Sequence, residues 1–385
     1  LRPHGVGFRG PMGWTPPLPP ASMCQTGYWL PVEDIEEEPI MNISRIGVDL
    51  AKNVFQVHGV DSADHPVWQV RLTRDNWIQT LTDRAQPGCE VSMEACAGAH
   101  HWGRELHARG FSVKLIAPQF VKPYVKSNKT DRNDAEAICE AASRPSMRFV
   151  PLKSIEQQDI QAIHRVRSEL IKQRTAKANQ IRGLVSEYGV VAPAHLAQLR
   201  KAIPIWLEND DNGLTGRFRR LLSGLQGDLL MLDERVKDLD REIIATAEED
   251  PVSQKLAQLR GVGPLIATSL SASIGNGRGF RKGRDYAVSL GLTPRQHGTG
   301  GKERILGISK RGDPYLRKLL ILGAKSMIIS SSGKEDALSL WVQRLLERKH
   351  PNVVAVALAA KTARAAWAIV RHDAEYQPEL MAAAA

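Results

Sequence analysis

The chain has 385 residues, of which 42% are apolar, so it can form several domains that each bury a core without a disulfide or structural metal. The formal net charge of +10 indicates a polyanionic partner, which by charge alone is DNA, RNA or an anionic membrane. The four cysteines are scattered and form no zinc-binding pattern, which fits a protein of the reducing cytoplasm.

The first forty residues differ from the rest in composition. They hold eight of the 22 prolines, show no apolar period, and carry two arginines against five acids, so the remaining chain has a net charge of +13. This composition predicts a disordered segment. We expect residues 1–40 to be either a flexible tail or an upstream extension, with translation beginning at Met41.

From Ile43 onward, short β-rich runs precede an alternation of helices and strands. Three runs, ISRIGVD, VFQVHGV and VWQVRL, predict a meander of strands. The pattern then predicts a helix over about 74–86, a strand at CEVSM, a helix over about 99–109, a strand at SVKLI and a further helix. This order predicts an α/β domain of the RNase H type over residues 41–151.

Residues 152–250 are predicted to form a helical coiled-coil linker. Apolar residues at helical spacing indicate two long helices, over 154–188 and 215–248, separated by a loop region around Pro193 and Pro204. The first helix is rich in arginine and lysine. Its basic face is either an ordinary solvated surface or a contact with nucleic acid.

Residues 251–375 are predicted to form a second, mostly helical domain, followed by a flexible tail at 376–385. The run LRGVGPLIATSL predicts a helix-hairpin-helix in which backbone amides at Gly261 and Gly263 hold a DNA phosphate, or else an ordinary Gly-Pro turn. The run VVAVALAAKTARAAWAIV has the length of a membrane span, but Lys361 and Arg364 interrupt it. We therefore expect a tightly packed helix and no membrane association.

Four acidic residues follow the predicted strands and open a predicted helix. Asp49 and Glu94 each end an apolar strand, whereas Asp131 and Asp134 lie three residues apart on a helix that Thr130 can cap. Any one of these acids alone is best explained as a solvated surface residue. Together they predict a site for two magnesium ions that act on a phosphodiester, with Lys129 and Arg132 beside them for phosphate.

The motifs GVDLAK, MEACAGAHHW and KTDRNDAEAI resemble the three acidic motifs of the DEDD transposases, insertion-sequence family one-ten. LRGVGPLIATSL and AVSLGLTPRQHGTGGKERILGISKRGDPYLRKLLILGA resemble the second half of that family, closest to its eleven-eleven branch. The resemblance implies a RuvC-like first domain that uses magnesium, and a serine nucleophile in the second domain that forms a transient covalent link to DNA. It also implies a dimer to tetramer, and a structured noncoding guide RNA, called a bridge or seeker RNA, that selects donor and target DNA.

One position departs from the family pattern. Thr299 stands where the family has its nucleophilic serine, and the methyl group of threonine crowds in-line attack. Three interpretations stay open: Thr299 attacks, a nearby serine such as Ser309 replaces it, or this copy is impaired. The glycines around Thr299 predict a mobile loop. Basic residues near it are expected to neutralise phosphate, unless they form only a solvated surface: Lys302, Arg304, Lys310, Arg311 and Arg317.

Two other functions compete with transposition. A RuvC-like structure-specific nuclease would use the same acids without a covalent step, and a catalytically impaired nucleic-acid-binding protein would keep only the binding surfaces. His100 and His101, beside the second acidic motif, are either general acids or ordinary helix residues.

Overall fold

The computed structural model describes residues 42–126 and 130–378. The predicted extension at 1–40, the proposed start at Met41, the phosphate-binding candidate Lys129 and residues 379–385 of the predicted tail lie outside the described residues.

The first part of the described chain alternates strands and helices around one sheet. Its elements in chain order are β1 (Arg45–Leu50), β2 (Val54–Val60), β3 (Pro66–Thr73), α1 (Trp77–Arg84), β4 (Glu90–Glu94), α2 (Ala99–Ala108), β5 (Ser112–Ile116), α3 (Pro118–Val121), α4 (Asp131–Ala142) and β6 (Phe149–Val150). The sheet order is β3-β2-β1-β4-β5-β6. The first three strands pair antiparallel, whereas β4 runs parallel to β1 and β5. The mixed sheet with helices that the sequence predicts is therefore present.

One face of this sheet is covered by α1 and α2. Successive residues of a strand point to opposite faces, and on this face Ile46, Val48 and Phe55 are fully buried. The Phe55 ring packs edge-on against Trp77 and Trp102, with centroid distances of 4.9 Å and 5.5 Å. This aromatic cluster ties both helices to the centre of the sheet.

The opposite face is covered by α4, which crosses β1 at Gly47. A Cβ atom on Gly47 would lie 2.3 Å from the carbonyl oxygen of Ala135 and 2.6 Å from the amide nitrogen of Cys139. Only glycine allows this approach of helix to strand. One turn further along α4 from Ala135, burial raises the pKa of the Cys139 thiol to about 12, an effect that the charge of Arg45 partly offsets. Gly47 thus lies against the middle of α4, between Ala135 and Cys139.

The middle of the chain is a long antiparallel helical hairpin, with α5 (Ile155–Ser186) packed on α7 (Gly216–Glu249). Three ion pairs connect the helices: Arg167 to Asp240 at 2.5 Å, Arg174 to Asp233 at 3.2 Å, and Lys177 to Asp228 at 2.9 Å. Residue numbers rise along one helix as they fall along the other. These basic residues of α5 are thus neutralised by α7, which weakens the hypothesis that this face contacts nucleic acid.

The predicted loop region between the two long helices contains a further helix, α6 (Leu196–Glu208). Pro204 lies inside it, and the buried Leu199 and Ile203 are one turn apart on the side that faces the hairpin. The expectation of a loop at Pro204 was wrong, because burial of this apolar side outweighs the loss of one backbone hydrogen bond at proline.

The last part of the described chain is mostly helical. Its elements are α8 (Pro251–Ala257), α9 (Pro264–Ile274), α10 (Gly283–Ser289), β7 (Pro294–Thr299), β8 (Lys302–Ile308), α11 (Pro314–Ser330), α12 (Ala337–Leu346) and α13 (Pro351–His372). By length and composition α13 could cross a membrane, but its most apolar window is 56% buried inside the protein. Lys361 within it is only 2% exposed, with its amine 4.9 Å from the Trp341 ring centre. In this fold α13 is a core helix.

The Gly47 contact makes a direct stability prediction. Gly47→Ala is expected to lower the free energy of unfolding by about 1–3 kcal/mol, because the added methyl group must push α4 away from β1. Thermal and denaturant unfolding of the full chain measure this change. The control is Gly183→Ala in α5, where an added Cβ atom meets nothing within 4 Å; it should be neutral or stabilising by up to about 1 kcal/mol. Equal free energies of unfolding for the two variants would contradict the close packing of α4 on Gly47.

Candidate active site

Asp49 and Glu94 lie side by side at the carboxyl ends of two neighbouring parallel strands. The register pairs Val48 of β1 with Met93 of β4, so the next residues along these strands are neighbours. Both carboxylates are half-buried and, by strand alternation, face the side of the sheet that α4 covers. Two acidic groups are thus fixed together by the parallel pairing itself.

The thiol of Cys96 is affected by the charges of both carboxylates. Partial burial, and next the negative charges of Glu94 and Asp49, raise the pKa of its thiol. The thiol lies on the loop that leads from β4 into α2 and contacts the carbonyl oxygen of Ala97 at 3.6 Å. This loop therefore borders the acidic pair.

The other two acids open α4. The Thr130 hydroxyl accepts a hydrogen bond from the Asn133 amide at 3.3 Å, which is the cap that the sequence predicts. Asp131 is exposed and Asp134 half-buried, both in the first turn. These two acids thus begin the helix that packs on Gly47, two residues before Asp49 in β1.

The four acids do not form a common ligand group as they stand. Among the residues that the structure describes, no three side chains of the His, Cys, Asp or Glu type lie close enough to hold a metal ion. Carboxylates at close range repel one another unless a cation lies between them. Their oxygens are also the hard donors that magnesium prefers. The donor chemistry fits a magnesium site, whereas the full convergence of the ligands stays a prediction.

Two groups expected near the acids point elsewhere. Arg132 donates a hydrogen bond to the Gln69 side chain on β3, across β2. His100 accepts a hydrogen bond from the Lys153 amide at 3.3 Å, and burial lowers its pKa to about 4. The neutral imidazole accepts this bond and so holds the segment that leads into α5. General acid catalysis by His100 therefore has no support in the structure.

Thr299 is the last residue of β7, at the tip of a two-stranded hairpin, and the mobility that its glycines suggest stays a prediction. It pairs with Lys302, and the intervening Gly300 and Gly301 have φ angles of 55° and 78°. Positive φ at both central residues is typical of the tight turns that match the twist of a β-hairpin. The Gly-Gly pair between two β-rich runs was the signal for this structure.

The hairpin has two chemically different faces. Cross-strand pairs share a face, so Thr299 lies with Lys302, His297 and Arg304 on one side. Gln296, Glu303 and Ile305 lie on the other side. All of these residues are exposed. The hydroxyl is therefore surrounded by groups that carry or can accept positive charge, and His297 is a member of this set that the sequence analysis missed.

Ser309, the alternative nucleophile, lies at the opposite end of the hairpin. Its amide donates to the Thr293 carbonyl oxygen at 2.9 Å, just beyond the paired strands. With a rise of roughly 3.3 Å per residue, tip and base are about 20 Å apart. Thr299 and Ser309 cannot serve the same site without a rearrangement of the hairpin.

The expected basic residues fall into two groups along the hairpin. Lys302 and Arg304 are near the tip, whereas Lys310 and Arg311 are exposed at the base. Arg317 donates to the carbonyl oxygens of Leu290 and Arg311, each at 3.0 Å, and so holds the base against α10. Phosphate binding by the first four residues stays a prediction, and Arg317 has a structural role beside it.

The glycines between α8 and α9 are explained in part by packing. Gly261 has a φ angle of 79°, and a Cβ atom there would lie 2.7 Å from the carbonyl oxygen of Gly323 in α11. Gly263 is exposed at the start of α9, where an added Cβ atom would meet nothing within 4 Å. Gly261 thus lets the turn pack on α11, and Gly263 keeps the predicted opening for a phosphate.

Comparison with known families agrees on both halves of the chain. The DEDD_Tnp_IS110 family model, described as a transposase, matches residues 46–190, which contain Asp49, Glu94, Asp131 and Asp134. The model described as the IS116/IS110/IS902 transposase family matches residues 253–338, which contain Thr299.

Similar proteins cover nearly the whole chain. A probable family 20 transposase of Pseudomonas aeruginosa is 50% identical over 339 residues, which are 88% of this chain and 100% of that protein. The transposase for insertion sequence element IS1111A of Coxiella burnetii is 44% identical over 87% of this chain and 92% of its own length. The transposase for insertion sequence element IS1328 of Yersinia enterocolitica is 40% identical over 85% of this chain and 97% of its own length. With both halves matched and these relatives aligned almost end to end, the chain belongs to the IS110/IS116/IS902 family of transposases.

Proposed function

We propose that this protein cuts and rejoins DNA during transposition of an insertion sequence by metal-dependent phosphodiester transfer. The observation that supports the proposal is that Asp49 and Glu94 are neighbours on adjacent parallel strands, on the sheet face covered by α4, whose first turn carries Asp131 and Asp134. The strand order β3-β2-β1-β4-β5 supports an RNase H-like, RuvC-like domain.

The carboxylates of Asp49, Glu94, Asp131 and Asp134 would hold two magnesium ions. Such ions supply positive charge at the phosphodiester that is cut and remove the repulsion between the acids. The carboxylates would position that charge; the β1–β4 pairing supports this for Asp49 and Glu94, and the Gly47 contact brings α4 close to the same face.

Thr299 would supply the attacking hydroxyl. Its oxygen bonds to phosphorus, the bond between phosphorus and one deoxyribose oxygen breaks, and that oxygen takes up a proton from water and leaves as a free hydroxyl. The Thr299 proton passes to a base, for which His297 on the same hairpin face is a candidate. A hydroxyl of the other DNA then attacks the same phosphorus and loses its proton, the bond from phosphorus to the Thr299 oxygen breaks, and that oxygen regains a proton, so one phosphodiester bond replaces another.

The partners follow from charge and family. The basic chain supports binding of donor and target DNA and of a structured noncoding guide RNA. We propose a homo-oligomer, dimer to tetramer, that acts in the cytoplasm. The alternatives are a structure-specific nuclease that lacks the covalent step and an impaired protein that only binds nucleic acid.

Loss of one acidic ligand should abolish the reaction. Purified Asp131→Ala, supplied with the flanking noncoding RNA, magnesium, donor and target DNA, is expected to form no recombinants, because the metal site loses a ligand. The control is Asp159→Ala, an exposed acid of α5, which should recombine like wild type. Product junctions are counted by sequencing. A wild-type yield of recombinant junctions from Asp131→Ala would contradict the metal-dependent mechanism.

The identity of the nucleophile can be tested at one position. Thr299→Ala should lose the covalent protein–DNA adduct seen on denaturing gels with labelled DNA, and Thr299→Ser should keep or increase it, because serine lacks the crowding methyl group. Ser309→Ala is the matched control and should form the adduct normally. Rapid cleavage of branched DNA by Thr299→Ala would favour the nuclease, and adduct loss in Ser309→Ala alone would move the nucleophile.

The two faces of the hairpin should differ in DNA binding. Arg304→Gln and Gln296→Glu each lower the net charge by one, but on opposite faces. If the Thr299 face contacts DNA, only Arg304→Gln reduces the slope of log affinity against log salt by about one unit. Fluorescence anisotropy with duplex DNA over a salt series measures the slope. Equal effects of the two variants would mean that only overall charge matters.

A further inference from the structure

The turn between β3 and α1 lies at the same end of the sheet as Asp49. Since β1, β2 and β3 pair antiparallel, the end of β3 meets the turn that joins β1 to β2. The Arg74 amide donates to the Asn53 carbonyl oxygen at 2.9 Å, and the Arg74 guanidinium donates to the Lys52 carbonyl oxygen at 3.4 Å. Arg74 and Lys52 thus form an exposed basic rim three to four strand positions from the acidic pair.

The Arg74 guanidinium is held on an aromatic ring. Its central carbon lies 4.9 Å from the centre of the Trp102 ring. Trp102 is fixed in turn by edge-on contact with Trp77, at 5.1 Å between centroids, and by a backbone bond of 3.1 Å to the Gly98 carbonyl oxygen. Gly98 ends the loop that follows Glu94, so these contacts connect Arg74 to that loop.

A guanidinium held over an aromatic ring is well prepared to bind phosphate. Its side chain has already lost much of its freedom, and it carries N–H donors besides the one that bonds Lys52. Arg109, at the far end of α2, differs because it forms an ion pair with Glu105 at 2.8 Å. Arg74 instead uses a ring and a carbonyl oxygen, neither of which neutralises its charge.

We infer that Arg74, held on Trp102, binds a backbone phosphate of the DNA strand that crosses the acidic end of the first domain. The inference rests on the proposed function and assigns a positioning residue to it. Arg74 would hold the strand at this end of the sheet, from the side that α1 and α2 cover, and takes no part in bond breaking. Lys52 adds positive charge to the same basic rim, but the inference assigns it no ring contact like that of Arg74 with Trp102.

The test is DNA binding without cleavage. Full-length protein is titrated with a duplex DNA oligonucleotide in calcium buffer over a salt series. Arg74→Ala is expected to bind more weakly and to lower the slope of log affinity against log salt by about one unit, because one phosphate contact is lost. Arg74→Lys should recover the slope but only part of the affinity, since lysine keeps the charge and loses the planar stacking. Arg109→Ala, the matched control, should keep the wild-type slope.

The outcomes separate this inference from the proposed function. Asp131→Ala should lose recombination, whereas Arg109→Ala should keep both recombination and the wild-type slope. A wild-type slope in Arg74→Ala overturns the inference whatever the recombination result. An effect confined to binding of a single-stranded RNA oligonucleotide also overturns it, because the contact would then belong to RNA. Full recombination by Asp131→Ala would instead sink the proposed function and leave the binding measurement interpretable.

Discussion

The close contact between Gly47 of β1 and Ala135 of α4 is the constraint on which the first domain depends. At 2.3 Å from the Ala135 carbonyl oxygen, a Cβ atom has no room, so glycine sets how near the helix lies to the sheet. The distance and direction of α4 then decide where its first turn falls. Gly47, which bears no functional group, thus sets how near the helix that carries Asp131 and Asp134 lies to the sheet.

The sequence predicted the acidic end of this domain better than its surroundings. Asp49 and Glu94 follow apolar strands and Thr130 caps α4, and these are local signals that the sequence carries in order. The stacking of Arg74 on Trp102 joins residues from separate elements, so periodicity could not reveal it. The same holds for the ion pairs between α5 and α7. The composition of α5 predicts a basic helix, but it does not show that acids of α7 neutralise this charge.

The hairpin around Thr299 shows a different limit. Its glycines indicated a loop, yet two positive φ angles in succession are also what a tight hairpin turn needs. Pairing, not flexibility, puts Thr299 on one face with Lys302 and Arg304. The acids and the Thr299 hydroxyl therefore lie on separate elements, and the proposed nucleophile differs from serine by one methyl group.

Titration of the full-length protein with Mn²⁺, followed by electron paramagnetic resonance, tests most directly whether the four carboxylates form a metal site. Mn²⁺ has ligand preferences close to those of magnesium. The proposed site predicts tight binding of two ions by wild type, and weaker binding by Glu94→Gln with the fold unchanged. Wild type that binds no ion, or Glu94→Gln that binds as wild type does, would contradict the metal site.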